Sequence, residues 1–407
     1  MKAAILTIGD EILSGNTINT NSSWISKTIE STGCQIICQL TVPDSKKHIN
    51  NGLDQLFLYS LDLILCTGGL GPTKDDITRE TLCDYFNTTS DFDKNYWQEL
   101  KTRFKSIGHV IPESNRSQAF VPKVGKVFSN PIGSARGLWF EQGQVTLIAL
   151  PGVPNEMKAM IMATVLPWMK ERIVESIHVQ TIRTTGSPES VLIEKINKIV
   201  ETDHGCKIGY YPSSLGVDIR LTSRGKRAIS QLKEKLCFAL GTLVYAFGEK
   251  ELEEIVVDSL KDSDQTISTA ESCTGGLIGH RLTQVPGSSN VYYGGVIVYS
   301  DYAKMDLLNV KKSTLKIHGA VSSETAGEMS QAVMQRFKTS IGVSVTGISG
   351  PGGDTENKPV GLVYAGLTDS NGSKTKKFMF SGDRDSNKLR SSQAVFNWVR
   401  LVMQNAK

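Results

Sequence analysis

Few of the features that mark special classes of protein occur in these 407 residues. No apolar run approaches the ~18 residues of a membrane span, which excludes a transmembrane helix of the usual kind. The stretch Met1-Lys2-Ala3-Ala4-Ile5-Leu6-Thr7 turns polar too early for a signal peptide, so a cytoplasmic location and no membrane partner are expected. Seven cysteines, an odd number, occur without a CxxC pair or regular spacing, which fits reduced thiols and not a disulfide framework. Cys34 and Cys38 have no His or Cys nearby to complete a zinc site, and the six histidines are scattered, so no His/Cys metal centre is expected. A formal charge of +4 is too small over this length to imply a nucleic-acid surface. Basic helices and interleaved aromatic and basic residues are missing too, which argues against nucleic acid as a partner. What remains, 39% hydrophobic and 21% charged, suits an ordinary globular chain of two or three domains.

The first part alternates strand and helix. Ala3–Ile8, Gln35–Thr41 and Leu61–Cys66 read as buried strands. Thr17–Glu30, with Ile18, Ile25 and Ile29 on one face, and Lys46–Tyr59 read as the helices between them. Later strands are expected at Gly137–Phe140 and Val145–Ala149, then a helix carrying Met157, Ile161 and Trp168 on its apolar side. This spacing predicts a mostly parallel sheet with helices on both faces. Two polar loops fall at carboxyl ends of strands, where open α/β sheets bind ligands. Gly68, Gly69 and Gly71 allow backbone amides to approach a phosphate closely. The acids Asp10, Glu11, Asp75 and Asp76 can converge beside them on a divalent cation. The plainer reading makes the glycines a turn and the acids helix caps.

From about Arg172 to Gly248 the pattern becomes a compact α+β module. Val179–Thr185, Lys207–Tyr211 and Val217–Ser223 read as strands. A helix is expected to open with Ser187 as cap and Pro188 at its first position, and another to span Lys226–Gly241. No GXXG tetrapeptide joins its helices, so backbone clamping of RNA is not expected. A spacer or oligomer contact is the favoured role, and the chain is expected to be a homo-oligomer.

The last part is again α/β. The β-branched run Thr266–Thr269 leads into Ala270-Glu271-Ser272-Cys273-Thr274-Gly275-Gly276, and a helix follows from Leu277. Hydroxyls and unpaired N–H groups at a helix start suit an oxyanion hole, and equally suit a simple N-cap. Lys304, after the strand-like Val291–Tyr299, could take the proton of Ser272, provided that it is desolvated. Cys273 is a rival nucleophile at the same turn. Spacing leaves the two tied. Gly347–Gly353 and Arg384 offer amides and a guanidinium fork for phosphate, although a turn and a pairing with Asp383 or Asp385 would account for them as well. Further helices are expected at Glu251–Leu260, at Ser322–Phe337 and at the end, and strands at Ile341–Thr346, Gly361–Thr368 and Thr375–Phe380.

Several motifs carry a resemblance. Gly9-Asp10-Glu11-Ile12-Leu13, Thr67-Gly68-Gly69-Leu70-Gly71-Pro72-Thr73-Lys74-Asp75-Asp76, Asn130-Pro131-Ile132-Gly133 and Leu150-Pro151-Gly152-Val153-Pro154-Asn155-Glu156 resemble the CinA family in its N-terminal half. Tyr299-Ser300-Asp301-Tyr302-Ala303-Lys304, Thr346-Gly347-Ile348-Ser349-Gly350-Pro351-Gly352-Gly353 and Phe380-Ser381-Gly382-Asp383-Arg384, with the Ser272 turn, resemble its C-terminal domain. One departure is Ser349, where the familiar motif reads Gly-Ile-Ala-Gly-Pro.

The resemblance implies three parts. Residues 1–171 are similar to molybdopterin-binding domains and imply a three-layer domain with metal-dependent ADP-ribose pyrophosphatase activity; molybdopterin chemistry is the alternative. Residues 172–249 form a KH-like connecting module. Residues 250–407 form an α/β amidase domain similar to nicotinamide-nucleotide amidase, which turns nicotinamide mononucleotide into nicotinic acid mononucleotide and ammonia. On this reading Ser272 and Lys304 are the catalytic dyad, which needs no cofactor, and Arg384 meets the substrate phosphate. Thr274, Gly275, Gly276, Tyr299, Gly347, Gly350 and Gly352 complete that site. Gly68, Gly69, Gly71, Thr73 and Asn155 are the N-terminal substrate residues, and Asp10, Glu11, Asp75 and Asp76 the metal ligands. A protein with only one active domain, or a non-enzymatic adaptor in competence or DNA damage, are the competing classes.

Overall fold

A computed structural model describes residues 1–173, 177–202 and 205–405. The chain divides into two compact units, Met1–His178 and Val179–Lys407. Among the described residues no helix is long and apolar enough to cross a membrane.

The first unit holds β1 (Lys2–Ile8), β2 (Gln35–Val42), β3 (Leu63–Thr67), β4 (Ser90–Phe92), β5 (Phe120–Pro122), β6 (Lys126–Phe128), β7 (Gly137–Gln142) and β8 (Val145–Leu150). Its main sheet runs β2-β1-β3-β8-β7-β6. The first four neighbours are parallel, β7 runs against β8, and β6 runs against β7. Alternate side chains of a strand point to opposite faces, and β1 uses both. Ala4, Leu6 and Ile8 join Leu53 and Leu56 of the helix Lys46–Phe57 in one core. Ala3 and Ile5 join Ile25 and Ile29 of the helix Thr20–Glu30, with Met157 and Ile161, in the other. Three layers and a mostly parallel sheet result, as the alternating pattern predicts.

Local chemistry moves some boundaries. The helix expected from Thr17 starts at Thr20, because the Asn19 side chain caps it by accepting the Ser22 amide. Ile18 therefore lies outside the helix and is 81% exposed instead of joining Ile25 and Ile29. A short helix, Asp10–Leu13, occupies part of the loop expected after β1.

The second unit begins with a four-stranded sheet ordered β10-β11-β9-β12 from β9 (His178–Thr184), β10 (Lys207–Ser213), β11 (Gly216–Ser223) and β12 (Val244–Phe247). Helices Glu189–Val200 and Lys226–Leu240 cover one face, where Leu192, Ile196, Leu232 and Leu236 pack with Ile219 and Leu221. Pro188 itself is the cap residue of the first of these helices, and Ser187 does not cap it.

The remaining sheet is β14-β13-β15-β16-β17, built from β13 (Ile267–Glu271), β14 (Tyr292–Ile297), β15 (Ile341–Gly347), β16 (Leu362–Asp369) and β17 (Gly372–Met379). β13 is parallel to both neighbours, and β16 and β17 are antiparallel. Leu252–Asp262 and Arg384–Asn405 cover one face, while Asp301–Leu308 and Ser323–Phe337 cover the other. Small residues let Ser323–Phe337 lie close. A Cβ at Gly342 would stand 2.2 Å from the Ser330 carbonyl oxygen, and one at Gly366 2.3 Å from that of Ala326.

Leu53 is fully buried between its helix and the sheet. Leu53→Ala should lower the stability of the first unit by about 2–5 kcal/mol. Urea denaturation followed by tryptophan fluorescence reads this unit mainly, because Trp398 is the one tryptophan of five outside it.

Candidate active sites

The N-terminal cavity, about 500 Å³, opens at the carboxyl ends of β1, β3 and β8. Glu11, Gly68, Gly69, Gly71, Thr73, Asp75 and Asp76 line it, whereas Asp10 and Asn155 do not. Gly68 and Gly69 have positive φ, and a Cβ at Gly68 would stand 2.0 Å from the Ile8 carbonyl oxygen. Their form is thus set by chain packing as well as by any ligand. The Gly68 amide donates to Leu150, so backbone donors open to a phosphate begin at Gly69.

The expected metal set does not assemble. Among the described residues no three His, Cys, Asp or Glu side chains converge as metal ligands. Asp76 instead accepts the amide and hydroxyl of Thr73, closing its own turn. Asp44, at the end of β2 and absent from the expected set, accepts the Asp10 amide at 3.0 Å and lines the cavity. Burial pushes its carboxyl above the usual range, and the charges of Asp10, Glu11 and Asp76 push the same way. The sequence signal for Asp44 was its place after a parallel strand, the same rule that singled out the other loops.

The C-terminal cavity is smaller, about 240 Å³, and lies at the carboxyl ends of β13 and β15. Ser272, Lys304, Tyr299, Gly347, Gly350, Gly352 and Arg384 line it. Thr274, Gly275 and Gly276 do not. Their turn has another organiser. The helix Leu277–Gln284 begins after Gly276, and neither Ser272 nor Thr274 caps it. Glu271, 1% exposed, reaches back over the turn. Its carboxylate accepts the amides of Gly276, Ile278 and Gly279 and the Thr274 hydroxyl, at 2.7–3.1 Å. The Gly275 amide is bonded to the Ser272 carbonyl. Within the turn, the Cys273 and Thr274 amides have no carbonyl partner among the described residues, and of these two residues Cys273 lines the cavity.

Lys304 stands in the first turn of Asp301–Leu308, which Ser300 caps. It is 1% exposed, and no carboxylate pairs with it among the described residues. Nζ lies 3.2 Å from Ser272 Oγ, 2.9 Å from the Val298 carbonyl oxygen and 3.5 Å from that of Tyr299. Desolvation lowers its pKa below the ordinary lysine value. A neutral amine there gives its two N–H groups to the carbonyls and turns its lone pair toward the Ser272 hydroxyl.

Cys273 is 5% exposed and belongs to the hydrophobic core. Burial raises its thiol to about 12, the reverse of the lowering expected at a helix start. The helix N–H groups that would have favoured a thiolate are occupied by Glu271. The thiolate that would make Cys273 a rival is therefore disfavoured here.

At the other end of the cavity Arg384 donates to the Gly350 carbonyl at 2.6 Å and to the Tyr299 hydroxyl at 2.8 Å. Asp383 accepts the Ser386 amide instead of pairing with Arg384. Tyr302 is exposed and does not line the cavity. Among the lining residues that had no assigned role in the sequence is Ser349, whose buried Oγ has no hydrogen-bond partner among the described residues.

Glu271→Ala should strip the turn of its acceptor. A loss of about 3 kcal/mol or more is expected from the hydrogen bonds to a charged group, with Glu271→Gln intermediate. Thermal and urea melts of the purified variants measure it.

Comparisons with known proteins divide the chain in the same order as its sheets. Residues 4–171 match the family model described as Probable molybdopterin binding domain, 179–240 the Damage-inducible protein CinA KH domain, and 249–403 the CinA C-terminal domain. A CinA-like protein of Kosmotoga olearia is 39% identical, over 99% of this chain and 99% of its own. A Clostridium novyi protein, competence-damage inducible by name, is 37% identical over 98% of each. Among solved structures, the competence/damage inducible protein CihA of Agrobacterium tumefaciens is 35% identical, covering 38% of this chain and 93% of its own, with a TM-score of 0.37.

Proposed function

Starting from a chain that belongs to the CinA family along nearly its whole length, we propose that its C-terminal site hydrolyses the carboxamide of nicotinamide mononucleotide. The products are nicotinic acid mononucleotide and ammonia. The observation that carries this reading is the buried Lys304 amine, held by two carbonyls with Ser272 Oγ within hydrogen-bond reach.

Lys304 takes the Ser272 proton as Oγ attacks the amide carbon. The developing oxyanion turns to the Cys273 and Thr274 amides, which have no other partner. Lys304 then passes the proton to the nitrogen as the C–N bond breaks. Ammonia leaves, and a water deprotonated by the same amine attacks the acyl–serine ester; the ester C–O bond breaks, the acid departs, and Lys304 returns the proton to Ser272 Oγ. The substrate phosphate is placed at Arg384, which can exchange the Gly350 carbonyl for phosphate oxygens, and beside the Gly347–Gly353 loop. Tyr299, already bonded to Arg384, is the ring available to stack on the pyridinium.

For the N-terminal cavity the proposal is hydrolysis of the ADP-ribose pyrophosphate. The open backbone at Gly69 and the acidic wall of Glu11, Asp44, Asp75 and Asp76 support it. A divalent cation belongs to this proposal through family likeness alone. These carboxylates do not converge as a ligand set, and no chemical step is derived through a metal.

Ammonia release from nicotinamide mononucleotide by the purified protein tests the first proposal. Ser272→Ala should abolish it, Lys304→Ala should lower kcat by on the order of 10²–10⁴-fold, and Cys273→Ser should keep most of it. Full activity in Ser272→Ala would sink the dyad.

The pH profile gives a separate check. Only neutral Lys304 can act as base, so the rate should rise with pH through its depressed pKa and level off above it. Lys304→Ala should lose this limb. A rate that falls over the same range would contradict the role.

AMP release from ADP-ribose, measured with added divalent metal and again with chelator, tests the second proposal. Undiminished turnover in chelator would remove the metal from it.

A further inference from the structure

Among the described residues, Ser349 places a hydroxyl where nothing donates a hydrogen bond to its oxygen. The residue follows β15, between Ile348, whose amide bonds the Leu362 carbonyl, and Gly350, whose carbonyl holds Arg384. Its own backbone oxygen accepts from Asn387 Nδ2 at 3.1 Å, which fixes the loop from behind. The residue is 4% exposed and its Oγ has no hydrogen-bond partner. The Cys273 sulfur is a neighbour toward which the hydroxyl can turn its proton, a weak contact that leaves the Oγ lone pairs unused. The residue nevertheless lines the cavity that holds Ser272, Lys304 and Arg384.

An unpaired buried hydroxyl is destabilising, and folded proteins keep few of them. A use for the hydroxyl must therefore come from what enters the cavity. A primary carboxamide brings one acceptor and two N–H donors. The Cys273 and Thr274 amides can only donate, which suits the carbonyl oxygen. Lys304 is engaged with Ser272 and two carbonyls. The amide N–H groups still need an acceptor, and Ser349 Oγ has its lone pairs free.

We propose that Ser349 is a substrate-binding residue of this site, its Oγ accepting an N–H of the carboxamide and so turning the carbonyl carbon toward Ser272. The assignment rests on the amide-hydrolysis reading of the cavity. It involves no change of bonds, only orientation. It also makes the hydroxyl a group that weakens the empty protein and strengthens the occupied one.

The test compares full-length wild type with Ser349→Ala and with Ser344→Ala. Ser344 is a buried serine of β15 whose hydroxyl is satisfied by the Ala326 carbonyl at 2.6 Å. Each protein is melted with and without nicotinamide mononucleotide, and kcat/KM is measured by ammonia release. Ser349→Ala should melt no lower than wild type when empty, gain less from the nucleotide, and show kcat/KM reduced about tenfold. Ser344→Ala should melt lower and keep its kcat/KM. A folded Ser349→Ala with kcat/KM within about twofold of wild type would overturn the proposal. Should wild type release no ammonia, the hydrolysis reading fails separately, and the melting shift then decides. Equal shifts in wild type and Ser349→Ala, including no shift in either, would overturn the role of Ser349.

Discussion

One buried carboxylate, Glu271, organises the turn that carries Ser272. Glu271 ends β13 with its charge removed from water, and such a charge is tolerable only if it is fully hydrogen-bonded. Three amides and one hydroxyl of the next eight residues supply those bonds. The chain must therefore fold back over the carboxylate, and the turn Ser272–Gly276 has little freedom left. Its Gly275 and Gly276 have the positive φ such a reversal needs. Ser272 and Cys273 line the cavity, and the residues after them are tied to Glu271.

The same arrangement decides the reactivity of neighbours. Helix N–H groups lower the pKa of a thiol only when they point at it. Here they point at Glu271, and Cys273 is left in an apolar core where its thiolate is disfavoured. Lys304 is moved the other way by the same physics. Burial without a carboxylate partner penalises its charged form, and the Val298 and Tyr299 carbonyls accept hydrogen bonds from its amine. A serine with an ordinary hydroxyl and a lysine unsuited to carrying charge can thus share a proton. In the N-terminal cavity Asp44 has one backbone donor, the Asp10 amide, and burial, reinforced by the charges of Asp10, Glu11 and Asp76, raises its pKa.

Much of this was legible in the sequence. Alternating apolar runs placed the strands of both α/β regions, and the rule that ligands lie at strand ends located both cavities. Boundaries failed where a side chain intervened, as when Asn19 delayed a helix and exposed Ile18. Site residues failed for a related reason. Asp10 lies near the right place, but its amide is bonded to Asp44 and the residue does not line the cavity. Thr274 has the right residue type, but its hydroxyl belongs to Glu271.

The linear chain by itself determined the order of strands and helices, the polar loops at their ends, and the residue types gathered in those loops. Local periodicity and turn chemistry act over a few residues, so they can be read without coordinates. Only the tertiary structure buried the Cys273 thiol, tied the turn amides to Glu271, set Lys304 beside Ser272, kept the described N-terminal acids from converging, and left the Ser349 oxygen without a donor. Each of those outcomes depends on which buried group takes a given hydrogen bond and how much water reaches it. Lys304 and Ser272 are 32 residues apart, and only the packing of their two elements makes them neighbours.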